Sequence, residues 1–345
     1  MKYSLIICTY NRAESLIRLL KSIKNQEHYP DEVLIIDGSE GDETKTALLN
    51  STYKNISYHQ VDNENRGLTK QRNIGIEYAH KQSEIICFLD DDIIVTKGYF
   101  KNLIDTFDTN PDAMGVGGAI INEGVWSKIE KDSEKKFEKY YRDGYVRSLG
   151  ARNVLRKKLG LLSAKPPGIM PKFSNGFSIG FYPPNDKIHK VDYFMGGVSA
   201  YRKSLFDSIS FSEYFIGYGL YEDMEFCLRA SRIGSLYINT SAQVYHLHEE
   251  AGRPDYYKYG KMVVENGWIV WKIKYPKPDI TSVIKWNAIV FILACIRLKN
   301  GLVDREKGAV QDAMGRFSAW FKMTYRKPQY SEKKGRSSKF ENSFI

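Results

Sequence analysis

Short apolar runs alternate with stretches of helical spacing over the first 121 residues, the pattern of parallel strands joined by crossover helices. Residues 3–8 read as a first strand. Asn11 followed by Glu14 then predicts a capping box, and Leu16, Ile17, Leu19, Leu20 and Ile23 form one helical stripe. Residues 32–36 are a second strand, ending in the turn-rich run Asp37-Gly38-Ser39-Glu40-Gly41-Asp42 before a short helix over 43–50. A third strand spans 56–61. Residues 68–80 form a helix with Ile74, Ile76 and Tyr78 among its buried candidates, and residues 84–89 are nearly all apolar, as in a strand buried on both faces. That strand runs into Asp90-Asp91-Asp92. A helix over 98–109 and a glycine-rich strand over 113–121 complete four or five βα units.

The rhythm is lost over 125–184, where a charged, helix-like stretch precedes Lys165-Pro166-Pro167-Gly168 and scattered Gly, Ser and Pro. The pattern predicts an insertion or mobile loop. Order returns at 191–202. Residues 222–232 have helical spacing, with Phe226, Leu228 and Ile233 on apolar positions, and 236–247 are strand-like. From Asp255 the chain is aromatic and basic, and it ends in a polar tail expected to be mobile. No internal repeat is visible.

At 345 residues and 42% hydrophobic, the chain can bury one large core with an appendage, which excludes disorder of the whole. Cys8, Cys87, Cys227 and Cys295 are far apart and suggest neither a zinc knuckle nor a disulfide framework, so a reducing cytoplasm fits. Met1-Lys2 leads straight into the first strand, too short and too soon polar for a signal peptide. The longest apolar run, residues 286–296, is about half of the ~20 residues a spanning helix needs and is closed by Arg297 and Lys299, so it is not expected to span a membrane. The formal charge of +10 is uneven: residues 127–158 hold eleven Lys/Arg against five acids, and 322–345 hold seven against two. That balance suits an anionic partner.

In an open parallel sheet, ligands bind outside the carboxyl ends of the strands. Four polar clusters fall at such ends: Thr9-Tyr10-Asn11-Arg12, Asp37-Gly38-Ser39, Asn65-Arg66-Gly67 and the Asp triplet. Three successive carboxylates repel one another, and a divalent cation relieves the repulsion; oxygen ligands favour Mg2+ or Mn2+, with substrate phosphates completing the shell. The alternative is a solvated acidic turn. Asp37 suits either an Asx turn or a hydrogen bond to a nucleobase. Arg12 and Arg66 are placed to meet phosphate oxygens, whereas Lys70 and Arg72 are less distinctive. Gly67 either exposes backbone amides to an anion or simply makes a turn. Glu222-Asp223 opens a helix, as a favourable charge at its positive end or as a general base for an acceptor hydroxyl. His246 and His248, two apart on a strand, are expected on opposite faces, so that one of them is a metal ligand or phosphate donor.

Taken together, "SLIICTYNR", "EVLIIDGS", "ENRGLTKQRNIGI", "IICFLDDDI" and "YEDMEFCLRASRIG" followed by "VYHLH" closely resemble family 2 glycosyltransferases, which are inverting and have the glycosyltransferase-A fold. The resemblance covers about residues 1–250. It implies an α/β chain with a Rossmann-like, mostly parallel sheet flanked by helices. It implies that Thr9, Tyr10, Arg12 and Asp37 hold the nucleoside, that Asp90 to Asp92 form the Asp-x-Asp motif with Asp90 at the ribose and Asp92 at the metal, and that Asp223 is the catalytic base. Gly196-Gly197 resembles the family's acceptor-side glycine turn. The stretch "DYYKYGKMVVENGWIVWKIKYP" is similar to the segment following the catalytic domain in bacterial polysaccharide and rhamnosyl-type transferases.

The resulting division is a catalytic domain over 1–250, with a nucleotide-binding half (1–121), the insertion (125–184) and an acceptor half (191–250), followed by a helical aromatic and basic extension over 251–345. The expected donor is a nucleotide-diphosphate sugar, UDP- or dTDP-linked, used with Mn2+ or Mg2+, and the expected acceptor is a glycan or lipid-linked saccharide. The expected location is the cytoplasm. Trp268, Trp271 and Trp286 with nearby Lys/Arg either contact an anionic membrane on its inner face or cover the core or a homo-oligomer contact. Nucleic acid is not expected as a partner, since no recognition module is present. A non-catalytic nucleotide-sugar-binding or membrane-scaffold protein, and a nucleotidyltransferase, are the competing readings; the latter lacks a glycine-rich, Lys-bearing phosphate loop.

Overall fold

The computed structural model describes residues 1–49, 53–130, 134–215, 217–248 and 255–330. Its first half runs β1 (Tyr3–Thr9), α1 (Ala13–Ile23), β2 (Glu32–Asp37), α2 (Glu43–Leu49), β3 (Ile56–Gln60), α3 (Leu68–Tyr78), β4 (Ile85–Asp90), β5 (Ile93–Val95), α4 (Tyr99–Thr109) and β6 (Ala113–Ile120). The middle carries β7 (Ser127–Lys128), β8 (Lys139–Arg142), β9 (Tyr145–Ser148), α5 (Ala151–Lys158), β10 (Ile188–Val191) and β11 (Val198–Arg202). Then come α6 (Glu222–Ala230), β12 (Ser235–His246), α7 (Tyr256–Lys274), α8 (Ile280–Leu302) and α9 (Ala309–Tyr325).

The main sheet has the order β10-β12-β6-β11-β4-β1-β2-β3, with β5 pairing to β12. β3, β2, β1 and β4 are parallel, and β11 enters antiparallel between β4 and β6. Side chains alternate across a strand, so β1 feeds two cores. Leu5 and Ile7 pack with α1 and α4 on one face, whereas Ile6 joins Phe211, Phe226 and Ile269 on the other.

Three local expectations are corrected. Asn11 does not cap α1: it is left-handed at φ 54 and its N–H donates to Ser39 Oγ, so Arg12 becomes the N-cap residue, without a side-chain cap. In α3 the buried positions are Thr69, Gln71, Arg72 and Gly75, while Tyr78 is exposed and Ile74 and Ile76 are half-buried. Gln71 and Arg72 are buried because groups outside the helix answer them, Gln71 at Thr9 O and Ile36 O and Arg72 at Glu222 and Asp90. Ile233, expected on the apolar face of the α6 helix, lies beyond its end and is exposed.

Residues 125–184 are not a featureless loop. β7, β9 and β8 form a small antiparallel sheet, α5 follows, and Met170, Phe177, Ile179 and Tyr182 are buried. In the extension, Trp268, Trp271 and Trp286 form a buried cluster in which Trp271 and Trp286 stack at 5.6 Å, and Trp271 Nε1 donates to Lys172 O. Those tryptophans are packed inside the fold, with Trp271 fully buried. The apolar run at 286–296 sits inside α8, the one helix among the described residues long and apolar enough to cross a membrane by length and composition. Part of α8 is nevertheless occupied within the fold, with Trp286, Ile289 and Ala294 buried. The expected mobile tail falls outside the described residues beyond 330.

Candidate active site

Strand register gathers the predicted loops on one edge. Parallel pairing sets Thr9 beside Asp37 and Cys8 beside Asp90, so three strand ends open on one cleft. Gln71, from α3, ties them together: its Nε2 donates to Thr9 O at 3.1 Å and to Ile36 O at 2.8 Å.

Asp37 is fully buried. Its Oδ1 accepts from Ser39 N at 2.8 Å and from Ser39 Oγ, and its Oδ2 accepts from Tyr58 at 3.0 Å. This is an Asx turn, and both oxygens are already engaged. Tyr10 is exposed, with the Arg66 guanidinium 5.2 Å from its ring centre. Arg66 is anchored by Gly38 O at 2.7 Å and Glu40 at 3.0 Å. Gly67 takes φ 123 and donates its N–H to Gln71 Oε1 at 3.2 Å, which makes it a turn glycine; Lys70 is turned to Glu64 O.

The three aspartates have separate surroundings. Asp91 is buried and accepts from Thr9 Oγ1 at 2.7 Å and Arg12 at 3.0 Å. Burial pushes its carboxyl up to about 6, against the pull of Arg12 and Thr9. Asp92 lies 3.6 Å from Arg12 and 3.2 Å from His246 Nε2. Asp90 is the most open, its side chain 41% exposed.

His246 and His248 fall together rather than on opposite faces. β12 ends at His246, and His248 adopts φ 56, so strand alternation no longer applies and the two rings lie 4.0 Å apart. Both meet Glu123, which sequence reasoning missed: His246 Nδ1 at 3.0 Å and His248 Nε2 at 3.2 Å. Burial opposes the imidazolium of His246, but hydrogen bonds to Asp92 and Glu123 outweigh it and raise the group to about 10. Glu123, His246 and His248 bring ligand atoms within 4.8 Å of one another, and Asp92 stands at the opposite ring nitrogen of His246 from Glu123; imidazoles and carboxylates so placed suit a divalent ion, and a carboxylate on the far nitrogen is the usual way to orient a ligating ring.

The other half of the cleft is built on Arg72, which the sequence marked only as a less distinctive candidate than Arg12 and Arg66. Its guanidinium, 2% exposed, meets Glu222 at 2.5 Å and Asp90 at 3.4 Å, between the rings of Phe88 and Phe211. Only its place in a predicted helix whose neighbours Thr69 and Gln71 are polar hinted that this face was buried. Burial pushes Glu222 up to about 8; Arg72 pulls it down, and Asp223 pushes it further up. Asp223 is half-buried and accepts from Gly196 N at 3.2 Å, and burial raises its carboxyl too. The Gly196–Gly197 turn passes between these groups. A Cβ at Gly197 would stand 1.9 Å from Asp90 Oδ2, and one at Gly196 would stand 2.7 Å from Arg72. The turn therefore lets Asp90, at the end of β4, approach the pair that opens α6.

Such a sheet gathers carboxylates from separate strand ends opposite a helix-borne acid pair, at the edge where open parallel sheets bind ligands. Residues 4–163, a little under half of the chain, match the model of glycosyl transferase family 2. The chain is 32% identical over 133 residues to the glucosyl-dolichyl phosphate glucuronosyltransferase of Haloferax volcanii, a stretch covering 38% of this chain and 42% of the relative. It is 26% identical over 261 residues to the O-antigen chain rhamnosyltransferase RfbN of Salmonella typhimurium, covering 75% of this chain and 70% of the relative. The match thus spans less than half the length of the first relative. Mannosyltransferase PcManGT from Pyrobaculum calidifontis, solved with GDP-Man and Mn2+, shares the fold with a TM-score of 0.50 at 14% identity, over 94% of this chain and 87% of that one. The fold is the glycosyltransferase-A arrangement.

Proposed function

We propose that the chain is an inverting glycosyltransferase that moves a sugar from a nucleotide-diphosphate donor, UDP- or dTDP-linked, to a hydroxyl of a glycan or lipid-linked acceptor, with Asp223 as general base. The observation that carries this reading is the junction of Arg72, Asp90, Glu222 and the Gly196–Gly197 turn, which brings the donor-side strand end against the acid pair of α6. Donor and acceptor chemistry then share one cleft.

Tyr10, with Arg66 over its ring, offers a flat exposed surface for the nucleoside. Asp92 and His246 are the residues that would hold Mn2+ or Mg2+, with Asp90 beside them and Glu123 orienting the imidazole. The bound ion supplies Lewis-acid stabilisation of the charge that builds on the leaving diphosphate. Glu222 is held by Arg72 and keeps the start of α6 fixed. Asp223, half-buried and free of an ion pair among the described residues, removes the proton of the attacking hydroxyl. One base suffices for a single displacement with inversion, so no enzymatic nucleophile is required. The names of both relatives, which specify a dolichyl phosphate-linked sugar and an O-antigen chain, support a glycan or lipid-linked acceptor.

Peripheral contact with an anionic membrane on its cytoplasmic side belongs to the same reading. It is supported by exposed Ile280, Ile284, Phe291 and Phe321, and by the lack of any acidic residue in α8. Self-association through this face is the alternative, and vesicle sedimentation combined with a solution mass separates the two. The main test is a panel of UDP-, dTDP- and GDP-sugars with Mn2+, scored for hydrolysis and thermal stabilisation. A response to none of them refutes the proposal.

A further inference from the structure

α6 carries Asp223 but is only nine residues long, and its N-cap residue Tyr221 makes no side-chain cap. A helix so short does not hold its own position; tertiary contacts set it. From α3, Arg72 grips the first turn through Glu222. The back of the helix is held at Glu225, which is fully buried and, two positions after Asp223, points to roughly the opposite side. Glu225 Oε2 accepts from Arg229 Nη2 at 2.9 Å, and the same Nη2 donates to Ser210 O at 2.7 Å.

A further partner of Glu225 comes from the C-terminal extension. Beyond α9, residues 326–330 form a strap in which Arg326, Lys327 and Gln329 are exposed and Tyr330 is half-buried. The Tyr330 hydroxyl donates to Glu225 Oε1 at 2.6 Å, across 105 positions of the chain. Burial, and then Glu225, raise the Tyr330 phenol, so the hydroxyl stays a donor. Its ring packs edge-on against Tyr214 at 5.6 Å, on the segment leading into α6, and Lys327 Nζ stands 4.8 Å from the ring centre of Trp268. A cavity of about 340 Å3 lies under the strap, lined also by Tyr214, Glu265 and Lys322. The strap is thus seated mainly through Lys327 and Tyr330, and the second of these is a hydrogen bond to the helix that bears Asp223.

We propose that Tyr330 is a positioning residue for sugar transfer: its hydrogen bond to Glu225 braces α6 from behind and keeps Asp223 aimed at the acceptor hydroxyl. A general base acts only within hydrogen-bond reach of its proton, so a small tilt of α6 is felt in the chemical step more than in donor binding. Arg72 fixes the helix at Glu222, and Tyr330 fixes it three residues later. The C-terminal extension then takes part in the reaction instead of merely following the catalytic domain. The inference rests on the reading of Asp223 as general base, and it is tested partly without turnover.

The full chain is compared with Tyr330→Phe, which keeps the ring and loses only the hydroxyl, and with Tyr325→Phe, which loses an exposed hydroxyl at the end of α9. Amide hydrogen exchange is followed over residues 222–230 and over β1. Tyr330→Phe should exchange roughly tenfold faster in α6 and at the same rate in β1, whereas Tyr325→Phe should match the unsubstituted chain. With the best sugar nucleotide of the panel, Tyr330→Phe should lower kcat about tenfold and leave the donor KM within about twofold. In the residual turnover of Asp223→Asn the same substitution should have no further effect, because there is then no base to aim. A purely structural role would lower the melting temperature and leave kcat of the folded protein unchanged. Unchanged exchange in α6 overturns the brace. Faster exchange with unchanged kcat, or an equal loss of kcat in the Asp223→Asn background, overturns the positioning role. Full turnover by Asp223→Asn refutes the base, and no turnover by the unsubstituted chain with any donor refutes the glycosyltransferase reading; the positioning role falls with either, while the exchange comparison still decides whether Tyr330 holds α6.

Discussion

Arg72 and Glu222, 150 positions apart, meet in a buried ion pair at 2.5 Å, and Arg72 also reaches Asp90 at 3.4 Å. This one guanidinium joins the last residue of β4 to the first residue of α6. The cleft therefore depends on a contact that neither of its two halves contains alone.

Above about pH 8, where the Glu222 carboxyl is ionised, removing one member of the buried pair leaves the other charge unanswered. Arg72→Met is expected to cost about 3–5 kcal/mol of stability, and the double variant Arg72→Met/Glu222→Leu should recover a large part of it. Urea unfolding of the three proteins checks this. A single variant as stable as the unsubstituted chain would show that the pair contributes nothing.

Glu222 also sets a pH dependence. Its carboxyl is raised in the folded state from its usual 4.5 to about 8, so the folded chain keeps a proton that the unfolded chain has released. The stabilisation is fully present below about 4.5 and is lost as pH rises through about 8. Unfolding midpoints should fall across that window, and Glu222→Gln should flatten the slope. An identical slope in the variant would assign the effect to another group.

Asp223→Asn is expected to lower kcat by roughly a hundred- to ten-thousand-fold while leaving donor binding within a fewfold, because a general base acts only on the acceptor proton. Turnover with the best donor from the panel, beside UDP binding by calorimetry, provides the comparison. Loss of binding with unchanged kcat would move Asp223 to the donor side.

Gly197→Ala places a methyl group where Asp90 Oδ2 now lies, 1.9 Å from the new Cβ, so Asp90 must move. The expected cost is about 1–3 kcal/mol together with a weakened donor response. Gly180→Ala is the control, since its Cβ would meet nothing closer than Ser178 Oγ at 3.6 Å.

Chelation should abolish turnover, and manganese should restore it. Glu123→Gln should raise the manganese concentration needed by roughly 10–100-fold, the usual effect of losing a residue that orients a ligating imidazole. Manganese binding followed by electron paramagnetic resonance reads this directly and does not depend on turnover.

Much of the architecture was legible in the chain. Apolar runs at 3–8, 32–36 and 84–89 become β1, β2 and β4, because a strand buried on both faces must be apolar throughout. Their polar ends mark the cleft for the same reason: that is where the sheet stops excluding water. The family resemblance added order and spacing that no single motif supplies.

Pattern alone could not tell which polar residues are buried. Arg72 belongs to a helix without a clear apolar stripe, and its burial follows from Glu222, supplied by a distant part of the chain. The opposite-face rule for His246 and His248 failed because β12 ends at His246 and a left-handed His248 swings its ring back to Glu123. Trp268, Trp271 and Trp286 looked amphipathic beside their lysines, yet three helices close over them. Sequence by itself determined the strands, the loops at their ends and the acids they carry, since these depend on local periodicity and on exclusion of water. Only the tertiary structure decided the partners of those acids, because a buried charge is stabilised by whatever the fold brings within a few ångströms of it.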